Sequence, residues 1–335
     1  MADPKKALLI GINSYDQLPT LSACVRDAEA MALALFRHDD GTHEMNYECT
    51  VLKDAAANGG RLTRAELRRA ITDHFKDFKG DTLLYFSGHA TLTPTGGFLA
   101  ARDSEKNDPG VAMHEVMTLA TKAPAREVVI ILDCCHAGDA GNAAALGKTA
   151  LGESLTVLRE ELTVIAAAGS AQAAIEVNGR SEFTAALVDA LNGGAADALG
   201  QVTAPAMYAY ARRRFGPTTQ RPVYKSHATD ATVIRRCKRL IERPELQRLV
   251  QLFRTTNDRI RLDPEYEPED EHGNKKQPVN EEKVKDAQLF KRFRDAGLVR
   301  STDGEHFYWT ARWGRTLELS DRGKEYWVLI SKGRI

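Results

Sequence analysis

The run Ile131-Leu132-Asp133-Cys134-Cys135-His136-Ala137-Gly138 constrains this chain more than any other stretch. It reads as the end of a buried strand that stops in a cysteine pair and a small-residue turn. A continuous apolar run bounded by glycine is what a strand covered on both faces looks like. A second run, Thr82-Leu83-Leu84-Tyr85-Phe86, leads into Ser87-Gly88-His89. Two neighbouring strands of this kind deliver a thiol and an imidazole to one edge of a sheet, the pairing that cysteine nucleophiles need.

Residues 5 to about 235 repeat the same alternation of apolar runs and amphipathic stretches. Strands are expected at Ala7–Ile12, Glu48–Leu52, Thr82–Phe86, Glu127–Leu132 and Leu162–Ala167. Helices are expected at Arg26–Phe36, Thr63–Asp77, Ala112–Thr121 and Phe183–Leu191. Thr63 and Glu66 have the spacing of a capping box. The pattern predicts an α/β fold, a largely parallel sheet sandwiched by helices. Such sheets place their sites outside the carboxyl ends of the strands, where His89 and Cys135 fall.

At 335 residues the chain has room for one sizeable domain and a smaller one. The 46 basic and 46 acidic residues cancel, so overall charge points to neither nucleic acid nor membrane. No run approaches a membrane span, and Ala7-Leu8-Leu9-Ile10 is too short for a signal peptide. Five cysteines, two of them adjacent, suit a reducing compartment better than a disulfide framework, so a cytoplasmic location is expected.

Composition changes after Cys237, which divides the chain into domains at 1–240 and 241–335. A helix is expected around Pro244–Ile260, followed by an exposed acidic linker near 263–280. Next come a helix over Glu281–Ala296, a turn at Gly297 into a strand, a hairpin over His306–Leu319, and a last helix capped by Ser320. That order is winged-helix-like, a small α+β domain. Lys291, Arg292, Arg294, Arg312, Trp313 and Arg315 could track phosphates. Three basic residues on a helix are equally a solvated face. A regulatory or partner-docking role is favoured over nucleic-acid binding.

Ser87-Gly88-His89 resembles the Ser-Gly-His of caspase-fold (clan CD) cysteine peptidases, and Asp133-Cys134-Cys135-His136 resembles their Asp-x-Cys-His. Residues 5 to about 235 thus resemble a metacaspase-like prokaryotic caspase homologue. The resemblance implies a cysteine endopeptidase with Cys135 as nucleophile and His89 as general base and acid. It also implies an oxyanion hole made of the backbone N–H groups of Cys135 and of the residue after the histidine. That residue is glycine in the family and Ala90 here. Alternation along the strand sets Cys134 on the opposite face from Cys135, toward the core. The plain alternative is a satisfied buried histidine and an inert thiol. A metal site made from Cys134, Cys135, His136 and His89 is disfavoured, because consecutive strand residues diverge.

Ser22-Ala23-Cys24-Val25-Arg26-Asp27 resembles the metacaspase Gly-Cys-x-x-Asp segment. The resemblance implies an acidic substrate pocket formed by Asp27, Asp133 and Ser87. Cleavage after arginine, and more weakly lysine, follows from such a pocket. The alternative for Asp27 is a helix cap or an exposed first-turn residue. Asp103 and Asp108 are present, but the paired aspartates expected near Val111–His114 are missing, so no calcium, other metal or cofactor is expected. The small-residue stretch after Gly138 corresponds to the family's processing loop, with Lys148 and Arg159 as candidate cleavage points; an uncut surface loop is the alternative. Gln220-Arg221-Pro222-Val223-Tyr224 resembles the segment leading to the last strand of the sheet. The expected partners are protein substrates and an activating protease or partner acting through the tail, in a bacterial signalling or defence pathway. The rivals are a non-enzymatic caspase-fold adaptor and a winged-helix nucleic-acid-binding regulator.

Overall fold

The computed structural model describes residues 4–54, 61–136, 159–167, 176–177, 180–215, 222–229, 231–267, 269 and 280–335. Contacts divide the chain into two units, Met1–Ala196 with Gln201–Lys238, and Asp197–Gly200 with Arg239–Ile335.

In the first unit the apolar runs become strands β1 (Lys5–Ile12), β2 (Glu48–Asp54), β3 (Asp81–Thr93), β4 (Gly96–Leu99), β5 (Val111–Ala112), β6 (Glu127–His136) and β7 (Leu162–Ala166). The amphipathic stretches become helices α1 (Cys24–Phe36), α2 (Arg64–Phe75) and α3 (Met113–Lys122). Two short strands, β8 (Glu176–Val177) and β9 (Arg180–Ser181), precede α4 (Glu182–Asp189). Then follow β10 (Gln201–Thr203), α5 (Ala204–Arg214), β11 (Val223–His227) and β12 (Val233–Arg236). The main sheet runs β11-β7-β6-β3-β1-β2. All its neighbours are parallel except β11, which closes the edge antiparallel to β7.

Strict alternation divides the core into two layers. Val128, Ile130 and Leu132 of β6 pack with Leu67, Ile71, Val116 and Met117 of α2 and α3. Val129 and Ile131 face the other way, onto Ala28 and Met31 of α1 and Phe183, Leu187 and Met207 of α4 and α5. Each such side chain contributes about 1.5–3 kcal/mol by leaving water. The capping box at α2 is formed: Thr63 N donates to Glu66 Oε2 at 2.8 Å, and Glu66 N donates to Thr63 Oγ1 at 3.3 Å.

The strand expected to stop at Phe86 runs on to Thr93, because a hairpin at Thr93–Gly96 folds β4 back onto its second half. Gly96 makes that turn at φ +127°, a region closed to most side chains. Likewise β6 continues past Leu132 to His136.

The second unit has its own core around Phe253, Phe290, Phe293 and Phe307. Its elements are α6 (Arg243–Gln247), α7 (Leu249–Leu252), β13 (Arg259–Arg261), α8 (Glu281–Asp295), β14 (Val299–Ser301), α9 (Phe307–Arg312), β15 (Thr316–Leu319) and α10 (Asp321–Ser331). The antiparallel sheet order is β13-β15-β14. Three expectations are corrected here. The single helix over Pro244–Ile260 is two short helices and a strand, because the Asp258 carboxylate accepts the N–H groups of Arg254 and Thr255 and turns the chain. The hairpin over His306–Leu319 is a helix followed by a strand. His306 caps that helix through Nδ1, and Gly314 at φ +65° ends it. Residues 263–267 are not a free linker: Pro264–Tyr266 form a 3₁₀ turn, and Asp263 and Glu265 both pair with Lys283. Ser320 caps α10 as expected, accepting from Gly323 N.

Candidate active site

The site is built where β1 ends before its neighbours do. Pairing of β1 with β3 stops at Gly11 opposite Ser87, whereas β3 and β6 stay in register for three more pairs. Those pairs are Gly88 with Cys134, His89 with Cys135, and Ala90 with His136; one step earlier Ser87 pairs with Asp133. His89 and Cys135 are therefore direct neighbours across parallel strands, which lie about 4.8 Å apart. The side chains of Cys135 and His136 lie outside the described residues.

The chain leaving β1 folds over His89. The His89 N–H donates to Tyr15 Oη at 2.8 Å, and the Tyr15 hydroxyl donates to Ile12 O at 3.1 Å. The rings of Tyr15 and His89 lie 4.7 Å apart. His89 Nε2 is 2.8 Å from Pro19 O. A carbonyl only accepts, so Nε2 carries a proton, and Nδ1 is the basic nitrogen of the neutral ring. This close approach explains Gly88: a Cβ there would stand 2.7 Å from Tyr15 Oη and 2.9 Å from the Phe86 ring.

Asp27, in the first turn of α1, is fully buried and does not cap the helix; Ala23 holds the cap position without a side-chain bond. Its Oδ2 accepts from Ser87 Oγ at 3.4 Å and its Oδ1 from Ser181 N at 3.2 Å. Asp133, also buried, accepts from Thr184 Oγ1 at 2.6 Å. Thr184 spends its proton there, so the Tyr85 hydroxyl, 2.6 Å away, donates to Thr184. Burial, and then the neighbouring Asp133 charge, push Asp27 up to about 7; burial pushes Asp133 up as well. Arg180 offsets part of that rise at Asp27. Among the described residues no cation is ion-paired with either carboxylate. The three residues expected to share a pocket, Asp27, Asp133 and Ser87, do meet.

Other expected residues lie differently. Ala90 is buried between two neighbours, opposite His136 on one side and Leu99 on the other, rather than displayed at a strand end. Arg159 is half-buried and gives its guanidinium to Ala123 O and Ala125 O, at 2.7 and 2.6 Å, so it is not a presented cleavage point. Lys148 and its loop, and Gln220 and Arg221, lie outside the described residues. Val223 and Tyr224 open the edge strand β11. Half-buried Cys134 packs against the α2–α3 side of the core. Asp103 and Asp108 are both paired with Arg64. Among the described residues no group of three His, Cys, Asp or Glu side chains is arranged for a metal. No helix there is long and apolar enough to cross a membrane. In the second unit Lys291, Arg292, Arg294 and Arg315 are matched by Glu267, Glu245, Asp295 and Asp303.

Sequence reasoning missed Tyr15, Pro19, Ser181 and Thr184. Only Ser181 left a signal, as a serine opening an apolar helical stretch three residues before Thr184, whose N–H it accepts.

A family model described as Caspase domain matches residues 4–234. Metacaspase-6 of Arabidopsis thaliana is 32% identical over 149 residues, covering 40% of this chain and 38% of that protein. Metacaspase-1A of Aspergillus oryzae is 28% identical over 152 residues, covering 41% of this chain and 35% of that protein. The chain thus spans well under half the length of these relatives. Caspase-1 from Spodoptera frugiperda superposes with a TM-score of 0.47 at 13% identity, over 70% of this chain and 91% of that one.

Proposed function

Since the chain belongs to the caspase-domain family, we propose that it is a cysteine endopeptidase with Cys135 as nucleophile and His89 as its base, cleaving after arginine and more weakly after lysine. The observation that carries this reading is the register: His89 opposite Cys135, and Ser87 opposite Asp133 two residues before. In the step so assigned, the Cys135 proton passes to His89 Nδ1 and the thiolate attacks the peptide carbonyl. The protonated imidazole then gives its proton to the leaving amine. Water, deprotonated by the same nitrogen, releases the acyl group. Pro19 O holds the ring by Nε2, leaving Nδ1 for this traffic. The Cys135 N–H, with the Ala90 N–H once the strand pairing there yields, would donate to the oxyanion.

Among the described residues the two buried carboxylates are held by hydroxyl and amide donors, with Arg180 offsetting part of the rise at Asp27, and an arginine side chain would supply further positive charge with a bidentate fit. His89, Ser87, Asp27 and Asp133 are all at most 4% exposed, which supports a latent form that must open before substrate enters. Cutting in the segment that carries Lys148 is the proposed switch. Protein substrates, a reducing cytoplasmic setting, a place in signalling or defence, and a docking role for the carboxyl-terminal unit belong to the same reading. The nucleic-acid reading is weakened by the acidic partners of its basic residues.

The test incubates wild type and Cys135→Ala with fluorogenic peptides ending in arginine, citrulline, lysine or aspartate, before and after limited proteolysis near Lys148. Arginine-selective turnover lost in the variant is expected. Aspartate preference would remove the acidic pocket and keep the nucleophile. No turnover in any form would leave the adaptor as the better reading.

A further inference from the structure

The two carboxylates of the proposed arginine subsite, Asp27 on α1 and Asp133 on β6, share a neighbour from a third element. The first turn of α4 serves both. Ser181 N donates to Asp27 Oδ1 at 3.2 Å, and Thr184 Oγ1 donates to Asp133 Oδ2 at 2.6 Å. Ser181 caps that helix, so the turn also presents the positive end of its backbone dipole.

Thr184 stands where a helix ordinarily carries an apolar residue. It is fully buried, as are Leu187 and Val188, three and four residues on. A hydroxyl in such a place costs free energy unless it is bonded, and valine would fill much the same volume without that cost. The Thr184 hydroxyl is bonded on both sides. It donates to Asp133 and accepts from Tyr85 Oη at 2.6 Å, and Tyr85 is itself fully buried. A hydrogen-bonded chain thus runs from β3 through α4 to β6. An ionised carboxylate only accepts, which fixes the direction of each proton in it.

Asp133 is 4% exposed, so water does little to hydrate its charge, and burial favours the protonated acid. Hydrogen bonds from Ser181 and Thr184 pull the other way. Asp27 faces it from α1 as a like charge, and Arg180 on β9, exposed to solvent, acts on Asp27. We propose, on the arginine-subsite reading, that Thr184 is a positioning residue that sets substrate charge selectivity. Its hydroxyl holds Asp133 ionised and oriented as an acceptor, so that the pocket meets a cationic side chain with charge rather than with a neutral acid. Ser181 serves Asp27 through a backbone N–H, which no side-chain substitution removes; Thr184 is the half of the device that can be replaced.

The test compares wild type, Thr184→Val and Thr184→Ser on arginyl and citrullyl peptides, using the opened enzyme. In parallel, carboxyl NMR on the full chain with isotope-labelled aspartate follows the titration of Asp133, its resonance assigned by its absence in Asp133→Asn. In Thr184→Val the arginyl-to-citrullyl ratio of kcat/KM should fall at least about tenfold, mainly through KM, whereas Thr184→Ser should stay within about threefold of wild type. Asp133 should titrate at higher pH in Thr184→Val than in wild type or Thr184→Ser. An equal loss on both peptides, or an unchanged ratio where wild type prefers arginine, overturns the role of Thr184 and leaves the subsite standing. A wild type that does not prefer arginine over citrulline overturns subsite and proposal together. Should Thr184→Val not fold, Thr184→Ala carries the same expectations. The titration needs no turnover, and an Asp133 that titrates alike with and without the hydroxyl overturns the proposal.

Discussion

At its carboxyl end the central sheet keeps Asp27 and Asp133 behind Ser87, Ser181 and Thr184, with no ion-paired cation among the described residues. At its amino end it keeps Asp81 in a bidentate pair with Arg126, beside Lys5 and Glu127. The carboxyl groups are alike; their surroundings are not. Hydroxyls and amides stabilise a carboxylate by hydrogen bonds without cancelling its charge, so burial raises Asp27 to about 7. A guanidinium offsets the Asp81 charge directly, while burial and the Asp81 and Glu161 carboxylates still raise Glu127 to about 8. The first arrangement is the one on which the proposed arginine subsite rests; the second contains a closed ion pair.

The largest expected effect belongs to the carboxyl end. Cys135→Ala and His89→Ala should each lower kcat by a factor on the order of 10³ or more, measured on the opened enzyme with an arginyl peptide. Near-normal turnover in either would sever the link between register and chemistry. Next come Asp27→Asn and Asp133→Asn, expected to cut kcat/KM for arginyl peptides by roughly 10² while sparing citrullyl peptides. Equal losses on both substrates would make the acidic pair structural rather than selective.

Gly88→Ala places a methyl against Tyr15 Oη and the Phe86 ring. It should destabilise the fold by about 1–3 kcal/mol, read as a shift in urea midpoint at constant slope. The pH dependence of stability sharpens the comparison further. Asp27 has a folded value of about 7 against 3.8 for the free group, so the native state binds more protons between those limits. The Asp27 contribution to stability therefore falls as pH rises from about 4 to about 7 and is level above, while buried His74, pushed down to about 3, works the opposite way below about 6.5. Glu127 extends the same downward trend to about 8. Asp27→Asn should remove the lower part of the slope in urea titrations at pH 5 and pH 8; an unchanged slope would mean that Asp27 stays ionised. The smallest effect is expected from Tyr15→Phe, which deletes the acceptor of the His89 N–H and costs about 1 kcal/mol in the activation free energy, a several-fold fall in kcat.

What could be read in the residues follows their range of action. Strand and helix periods are local: the apolar run before Asp133, the capping box at Thr63 and the serine before Asp321 work within a few residues, and the elements they announce are present. Alternation also carried the two-layer core, including Cys134 on the α2–α3 side. The tail was less legible because short aromatic runs such as Phe307–Trp309 fit either period, and a side-chain turn at Asp258 outweighed helix propensity.

The sequence by itself determined the apolar runs of the parallel strands and the two motifs that end them. Only the tertiary structure decided that β1 stops short of β3, and that Tyr15 and Pro19 then close over the imidazole. It alone brought Ser181 to Asp27 across 154 residues of chain and left the amino end of the sheet facing a cavity. The reason is physical: periodicity is a property of neighbouring residues, whereas a buried polar partner is chosen by whichever distant segment the packed core returns to that place.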